Sequence, residues 1–162
     1  MLAINAESSP GVARLDQTEF DRLLALPNAH LVAESSCETV IGYALAFPDF
    51  VEYDGEEFQK LLKTLNKPFL YIDQIAIRAN KRRTGVASAL YKGIEMHARS
   101  RSMSALCCEV NLRPPNPTSI KFHRRMGFEE FGRMETKDQR TVLLMRMPLI
   151  HGHELSLHGD ST

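Results

Sequence analysis

Apolar residues recur at helical spacing from Leu15 to Leu26, at Phe20, Leu23, Leu24 and Leu26, with Asp16 or Thr18 placed to cap a helix. Leu31 to Glu34 and Thr39 to Phe47 predict two strands joined by a turn at Ser35 and Ser36. Phe58, Leu61, Leu62 and Leu65 return to helical spacing, predicting a helix from Glu56 to Leu65. Phe69 to Ile77 is nearly continuous in apolar, aromatic and β-branched residues, the pattern of a strand buried on both faces. A long helix is predicted from Thr84 to Ser100, since Val86, Leu90, Ile94, His97 and Ala98 share one face. Ala105 to Asn111 predicts another strand. Asn116 caps a helix that has Pro117 at its first position and ends at Gly127. Phe128 to Glu135 and Thr141 to Met147 form a closing hairpin about Lys137 to Gln139. Met1 to Gly11 carries no clear pattern, because Ser8, Ser9, Pro10 and Gly11 interrupt any regular element.

The order predicts an α+β domain on a central mixed sheet flanked by helices, spanning residues 1–148, with a mobile polar tail over 149–162. The 162 residues contain 20 Lys plus Arg and 20 Asp plus Glu, a neutral balance that points to neither nucleic acid nor an anionic membrane. No apolar run reaches the roughly 20 residues of a membrane span. Met1 to Pro10 lacks a secretory pattern, and three cysteines, two of them adjacent, suit a reducing compartment; a cytoplasmic setting is expected. No metal site is expected, since His151, His153 and His158 in the tail have no Cys or acidic partner at ligand spacing.

The most informative segment is Arg82-Arg83-Thr84-Gly85-Val86-Ala87, between the central strand and the long helix. A helix start offers unpaired N–H groups and the positive end of its dipole, and Gly85 and Ala87 let an anion approach the main chain. Arg78, Lys81, Arg82 and Arg83 add positive charge. There is no GxxxxGK(S/T) and no GxGxxG, so a P-loop is excluded and a dinucleotide fold is unsupported. The bland alternative is a surface turn with a solvated basic run.

Arg82-x-x-Gly85-x-Ala87 resembles the Q/R-x-x-G-x-G/A signature of the GNAT acetyltransferases. The block from Asn116 through Ser119, Phe122 and His123 to Gly127-Phe128 is similar to the family's second segment, in which Tyr stands where this chain has His123. The resemblance covers Phe69 to Met147, extends more weakly to Leu31, and looks like a bacterial branch with CEVN and PPNP blocks. It implies a splayed strand pair holding acetyl-CoA as cosubstrate and an amine as acceptor. Ile75, Ala76 and Ile77 would bond the acetyl carbonyl and pantetheine through their main chain. Arg82, Arg83, Thr84, Gly85, Val86 and Ala87 would wrap the pyrophosphate. Asn116, Ser119 and Phe122 would flank the pantetheine arm, Asn116 also serving as helix cap.

His123 falls on the inward face with Ser119, Phe122 and Met126, as a proton donor to the leaving sulfur or as a hydrogen-bonded core histidine. Asp73 and Glu109 are carboxylates within apolar strands, each either a base for the amine or half of a structural ion pair. Period-two alternation sets Asp73 on the face of Tyr71, Ile75 and Ile77. Cys107 and Cys108 point to opposite faces as packing residues. Phe50, Tyr53, Phe58 and Phe131 either line an acceptor pocket or belong to the core. Transfer of a longer acyl group, a CoA-binding regulatory domain without turnover, and nucleic-acid binding through the basic run are the alternatives; a homodimer is the default assembly.

Overall fold

The computed structural model describes residues 1–66 and 68–149. Its elements are α1 (Leu2–Ser8), α2 (Gln17–Ala25), β1 (Leu31–Glu34), β2 (Val40–Pro48), α3 (Glu56–Thr64), β3 (Phe69–Ile77), α4 (Val86–Ser100), β4 (Ala105–Arg113), α5 (Pro117–Arg125), β5 (Glu129–Glu135) and β6 (Thr141–Pro148). A 3-10 turn at Ala79–Lys81 follows β3. The strands form one six-stranded sheet in the order β1-β2-β3-β4-β6-β5, in which only β3 and β4 run parallel. Helix α4 makes the crossover that a parallel pair requires.

Local signals account for most of the helix ends. Asp16 caps α2 by accepting from the Glu19 amide at 2.8 Å, and Asn116 caps α5 by accepting from Ser119 at 3.2 Å. Glu56 and Glu57 sit in the first turn of α3, where the helix dipole favours them. Two expectations need correction. The long helix starts at Val86, with Gly85 as its cap, because Gly85 turns left-handed and Thr84 lies before the cap. The N-terminal segment also folds as α1, ahead of the Ser8 to Gly11 break.

Helix α1 forms because tertiary contacts hold it. Asn5, fully buried, donates to the Ala13 carbonyl at 2.9 Å, the Tyr43 hydroxyl at 3.1 Å and Gln74 Oε1 at 3.0 Å. Its own Oδ1 accepts from the Leu15 amide at 2.8 Å. This polar knot joins the N-terminal segment to β2 and β3.

The sheet is covered on both faces. On one, Tyr91, Ile94 and Ala98 of α4 pack on Leu70, Ile72, Leu106, Cys108 and Leu143. On the other, Ile4, Phe20, Leu23, Phe58 and Leu61 of α1 to α3 pack on Tyr43, Phe47, Tyr71 and Cys107. Cys107 and Cys108 thus do lie on opposite faces. The chain stays packed one residue past β6, since Leu149 is buried and its amide donates to Ser104 at 2.8 Å. The rest of the expected tail lies outside the described residues.

A bulge re-aims the middle of β3. Leu45 of β2 pairs with Gln74 and Ala46 with Ile72, so Asp73 is the extra residue. The expected alternation therefore fails beyond it. Tyr71 and Ala76 pack on the α1–α3 face, whereas Ile75 packs on the α4–α5 face. Asp73 shares the Tyr71 side, and Ile75 does not, because the extra residue shifts the pleat by one.

Asn5→Ala should destabilise the protein by about 2–3 kcal/mol by leaving buried partners unpaired. A lower urea midpoint at unchanged slope would register that loss, and an unchanged midpoint would mean that the knot does not secure α1.

Candidate active site

Strands β3 and β4 pair over only four registers, from Phe69↔Ala105 to Ile72↔Cys108. Both continue, β3 to Ile77 and β4 to Arg113, with β2 and β6 still paired on their outer sides. Between them the ladder opens. Main-chain groups that point into this gap have no strand partner, a rare state inside a sheet and one suited to a ligand with amide groups of its own.

The end of β3 lies beside the start of α4, since the side chains of Ile77 and Val86 both close on Gly42 of β2, within 2.7 and 3.2 Å of a Cβ built there. Gly85 caps that helix at φ 91°, and no side chain caps its first-turn amides. A Cβ built on Gly85 would meet nothing within 4 Å, so the space before the helix is open. Arg83 is also left-handed, at φ 63°. Left-handed residues at the start of a helix turn successive amides toward one side, the kind of concavity that takes an anion. Thr84 donates its hydroxyl to the Lys81 carbonyl at 2.6 Å, which braces the turn.

Arg82 is otherwise engaged. Its guanidinium donates to the Ile77 carbonyl at 3.2 Å and the Glu7 carbonyl at 2.7 Å. Glu7 in turn accepts from the Ala79 amide at 2.9 Å and pairs with Arg78 at 3.4 Å. The Arg82 side chain thus ties α1 to the turn, and its own amide donates to the Ala79 carbonyl at 3.4 Å. Arg83 is exposed. Sequence reasoning missed this latch, because α1 had no legible signal.

On the α1–α3 face, Asp73 and Glu109 stand one residue beyond the last β3–β4 pair, at the root of the gap. The Tyr53 hydroxyl donates to Asp73 Oδ1 at 2.7 Å, and the Tyr71 hydroxyl donates to Glu109 Oε2 at 2.7 Å. Burial pushes the Asp73 carboxyl up to about 6, against the opposing pull of Tyr53. Burial, then the nearby charges of Asp73 and Glu57, push Glu109 well above the ordinary carboxylate range. Neither carboxylate has a direct ion-pair partner among the described residues, so a structural ion pair is not their role. Glu57 is the paired one: Arg140 donates to it at 3.0 Å, to Asn111 at 3.2 Å and to Asp138 at 2.7 Å. That arginine joins the β5–β6 hairpin to α3 and β4.

Of the four aromatic residues weighed for an acceptor pocket, Tyr53 alone bonds to a candidate carboxylate. Phe58 is fully buried, Phe131 packs against the core, and Phe50 is 68% exposed.

His123 lies on the opposite face, buried at the end of α5. Its ring meets Tyr91, Phe122 and Phe128 edge-on at centroid distances of 5.3–5.4 Å. Nδ1 lies 2.8 Å from the Ser119 carbonyl, which can only accept, so Nδ1 carries the proton. Nε2, 2.5 Å from the Tyr91 hydroxyl, then accepts. Both ring nitrogens are satisfied in the neutral form, and burial lowers the pKa further, opposed by the Ser119 bond. In this arrangement His123 offers no proton outward. Asn116 and Ser119 cap and line the same helix, half-buried, as does Phe122. Tyr91 gave no signal of its own in the sequence beyond its helical phase. Among the described residues no group of three or more His, Cys, Asp and Glu could hold a metal, and no helix is long and apolar enough to cross a membrane.

Residues 3–128 match the model of the Acetyltransferase (GNAT) family. No curated protein matches the sequence. Solved structures share the fold. A ribosomal-protein-alanine N-acetyltransferase from Brucella melitensis has TM-score 0.66 at 23% identity, covering 91% of each chain. The ribosomal-protein-S18-alanine N-acetyltransferase from Escherichia coli has TM-score 0.68 at 15% identity, over 96% of this chain and 91% of that one. A phosphinothricin acetyltransferase from Sinorhizobium meliloti, in complex with AcCoA, has TM-score 0.66 at 22% identity, over 91% of this chain and 80% of that one.

A histidine held neutral contributes stability that is complete above its ordinary pKa of about 6.5 and is lost as pH falls below it. His123→Phe should therefore flatten part of the decline in stability between about pH 7 and pH 5, followed by urea unfolding at stepped pH. His30, whose pKa burial also lowers, should retain its share. An equally steep decline in the variant would show that His123 is not the buried neutral ring described.

Proposed function

The chain belongs to the Acetyltransferase (GNAT) family, and from that premise we propose that it moves an acetyl group from acetyl-CoA to an amine, by direct attack with both substrates bound. The observation that carries this reading is the alignment of two unmet demands. The β3–β4 ladder opens after Ile72 and Cys108, and the end of β3 lies beside the start of α4, whose amides behind Gly85 no side chain caps. A long ligand with amides in the middle and a diphosphate at one end meets both demands at once.

Main-chain groups from Arg83 to Ala87 would hold the diphosphate, with the exposed Arg83 side chain beside them. Ile75, Ala76 and Ile77 lie along the free edge of β3, where those main-chain groups not engaged by β2 or by Arg82 would meet the pantetheine and the acetyl oxygen. Asn116, Ser119 and Phe122 would flank the arm from α5. A neutral amine attacks the acyl carbon of the thioester, the C–S bond breaks, and coenzyme A leaves as its thiol, the proton lost by the amine balancing the one the sulfur gains.

Asp73 is the base in this scheme. A carboxyl raised to about 6 is ionised at neutral pH yet basic enough to take a proton from the amine, directly or through water. Burial, then the charges of Asp73 and Glu57, raise Glu109 beside it as well. The acceptor would approach from the α1–α3 face, where both carboxyls lie. The three free cysteines suit a cytosolic setting.

The engagement of both His123 nitrogens favours one second reading, a CoA-binding domain with little turnover, since the position that carries Tyr in the family holds a capped imidazole here. Thiol release from acetyl-CoA over a panel of amines separates the two. Release above the uncatalysed rate supports transfer, and binding without release supports a sensor.

Gly85→Glu should abolish measurable acetyl-CoA binding in calorimetry, because it sets bulk and negative charge where phosphates would sit, and unchanged affinity would refute the placement. Asp73→Asn should lower kcat/KM by about 10²-fold or more, the usual contribution of a general base, and remove an acid limb near the carboxyl's raised pKa. Wild-type turnover in that variant would exclude Asp73 as the base.

A further inference from the structure

Tyr53 reaches Asp73 from a loop that belongs to neither strand of the gap. It lies between β2 and α3, and its hydroxyl sits 2.7 Å from Asp73 Oδ1. Its ring is fixed from several sides. It stacks on Phe47 at 4.7 Å and 27°, lies near-parallel to Tyr71 at 6.4 Å, and meets Phe58 at 5.6 Å. Its carbonyl accepts from the Gln59 side chain at 2.7 Å, which fastens the loop to α3. Gly55 completes the seat, since a Cβ there would come within 2.6–2.9 Å of the Tyr53 ring and hydroxyl. The position tolerates nothing larger while the ring stays in place.

The phenol matters because of where Asp73 stands. As the bulge residue it is outside the regular pleat, so the ladder does not fix its side chain as it fixes Ile72 or Gln74. A hydroxyl donor on Oδ1 sets the carboxyl's rotation, with the Tyr71 hydroxyl as its other phenol neighbour. Tyr53 itself does not compete as an acid, since burial and the charge of Asp73 hold its proton firmly. It acts as a donor only.

Resting on the reading of Asp73 as base, we propose that Tyr53 is a positioning residue for the acetyl transfer, orienting the Asp73 carboxylate through its hydroxyl. Glu109 depends on Tyr71 in the same manner, but Tyr71 is a core residue of β3 and its removal would disturb the sheet. Tyr53 can lose its hydroxyl while its ring stays stacked. The groups facing Asp73 are Tyr53 from the β2–α3 loop, Tyr71 from its own strand, Glu109 from β4, Glu57 from α3 and Glu19 from α2, with Arg140 of the hairpin behind Glu57.

The test is Tyr53→Phe, measured as kcat/KM against pH with an acceptor found in the amine panel. Loss of one hydrogen bond to a charged group should move the acid limb upward by roughly one pH unit, with KM for acetyl-CoA unchanged. A carbon-13 NMR titration of the Asp73 carboxyl, in parent and variant without substrate, should move in the same direction and does not depend on turnover. Gly55→Ala, which keeps the hydroxyl but displaces the ring, should lower kcat without changing acetyl-CoA affinity. If neither the limb nor the carboxyl titration shifts in Tyr53→Phe, the positioning role is overturned and Tyr53 is a packing residue. Should Asp73→Asn lose activity in that case, the base assignment would stand without it. Should Asp73→Asn turn over normally, both assignments fall together.

Discussion

Pairing between β3 and β4 lasts four registers and then stops, and the rest of the molecule is arranged around that interruption. A parallel pair inside a sheet ordinarily satisfies its main chain along its whole length, because buried amides without partners are costly. Here each strand keeps its outer neighbour, so neither collapses into the gap. The opening is therefore a fixed feature of the sheet. What lies at its root, at its far end and on its two faces decides what the protein can do.

The bulge at Asp73 and the turn at Gly85 complete the arrangement from opposite ends of the same stretch. The bulge adds one residue to β3, which takes a carboxylate out of the pleat and moves Ile75 to the opposite face. The turn brings left-handed Arg83 and Gly85 before a helix of 15 residues, whose leading amides no side chain covers. Between them runs the edge of β3 from Asp73 to Ile77 that β4 no longer pairs. The two faces then divide. The α4–α5 side carries the helix start and a neutral, doubly bonded His123, and the α1–α3 side carries the two phenol-bonded carboxyls.

The N-terminal segment is a structural member of the site. Asn5 ties α1 to Gln74, the residue next to Asp73, and Glu7 with Arg82 ties its end to the turn before α4. On the hairpin side Arg140 joins Glu57 and Asn111, close to the carboxyl cluster. Long-range polar contacts, buried at Asn5 and partly or fully exposed at Glu7 and Arg140, brace the gap on both sides. They explain how a sheet missing part of one ladder remains ordered.

Elements governed by neighbours along the chain were legible in the residues. Repeats of apolar positions fix α2 to α5 and the six strands to within a few residues, Asn116-Pro117 marks the start of α5, and the Gly85 turn stands out because a left-handed residue before a helix favours glycine. The family resemblance rested on these same local features. What the fold alone decided depends on partners far apart in sequence. Helix α1 exists through Asn5, whose partners include residues 38 and 69 positions away. The side to which Ile75 points depends on an unequal count of residues in β2 and β3, which no strand reveals by itself. The state of His123 depends on Tyr91, 32 positions earlier, and that of Asp73 on Tyr53, 20 positions earlier. Periodicity reports which face a residue prefers; only the packed chain determines which group it meets there, and that meeting sets where a proton rests.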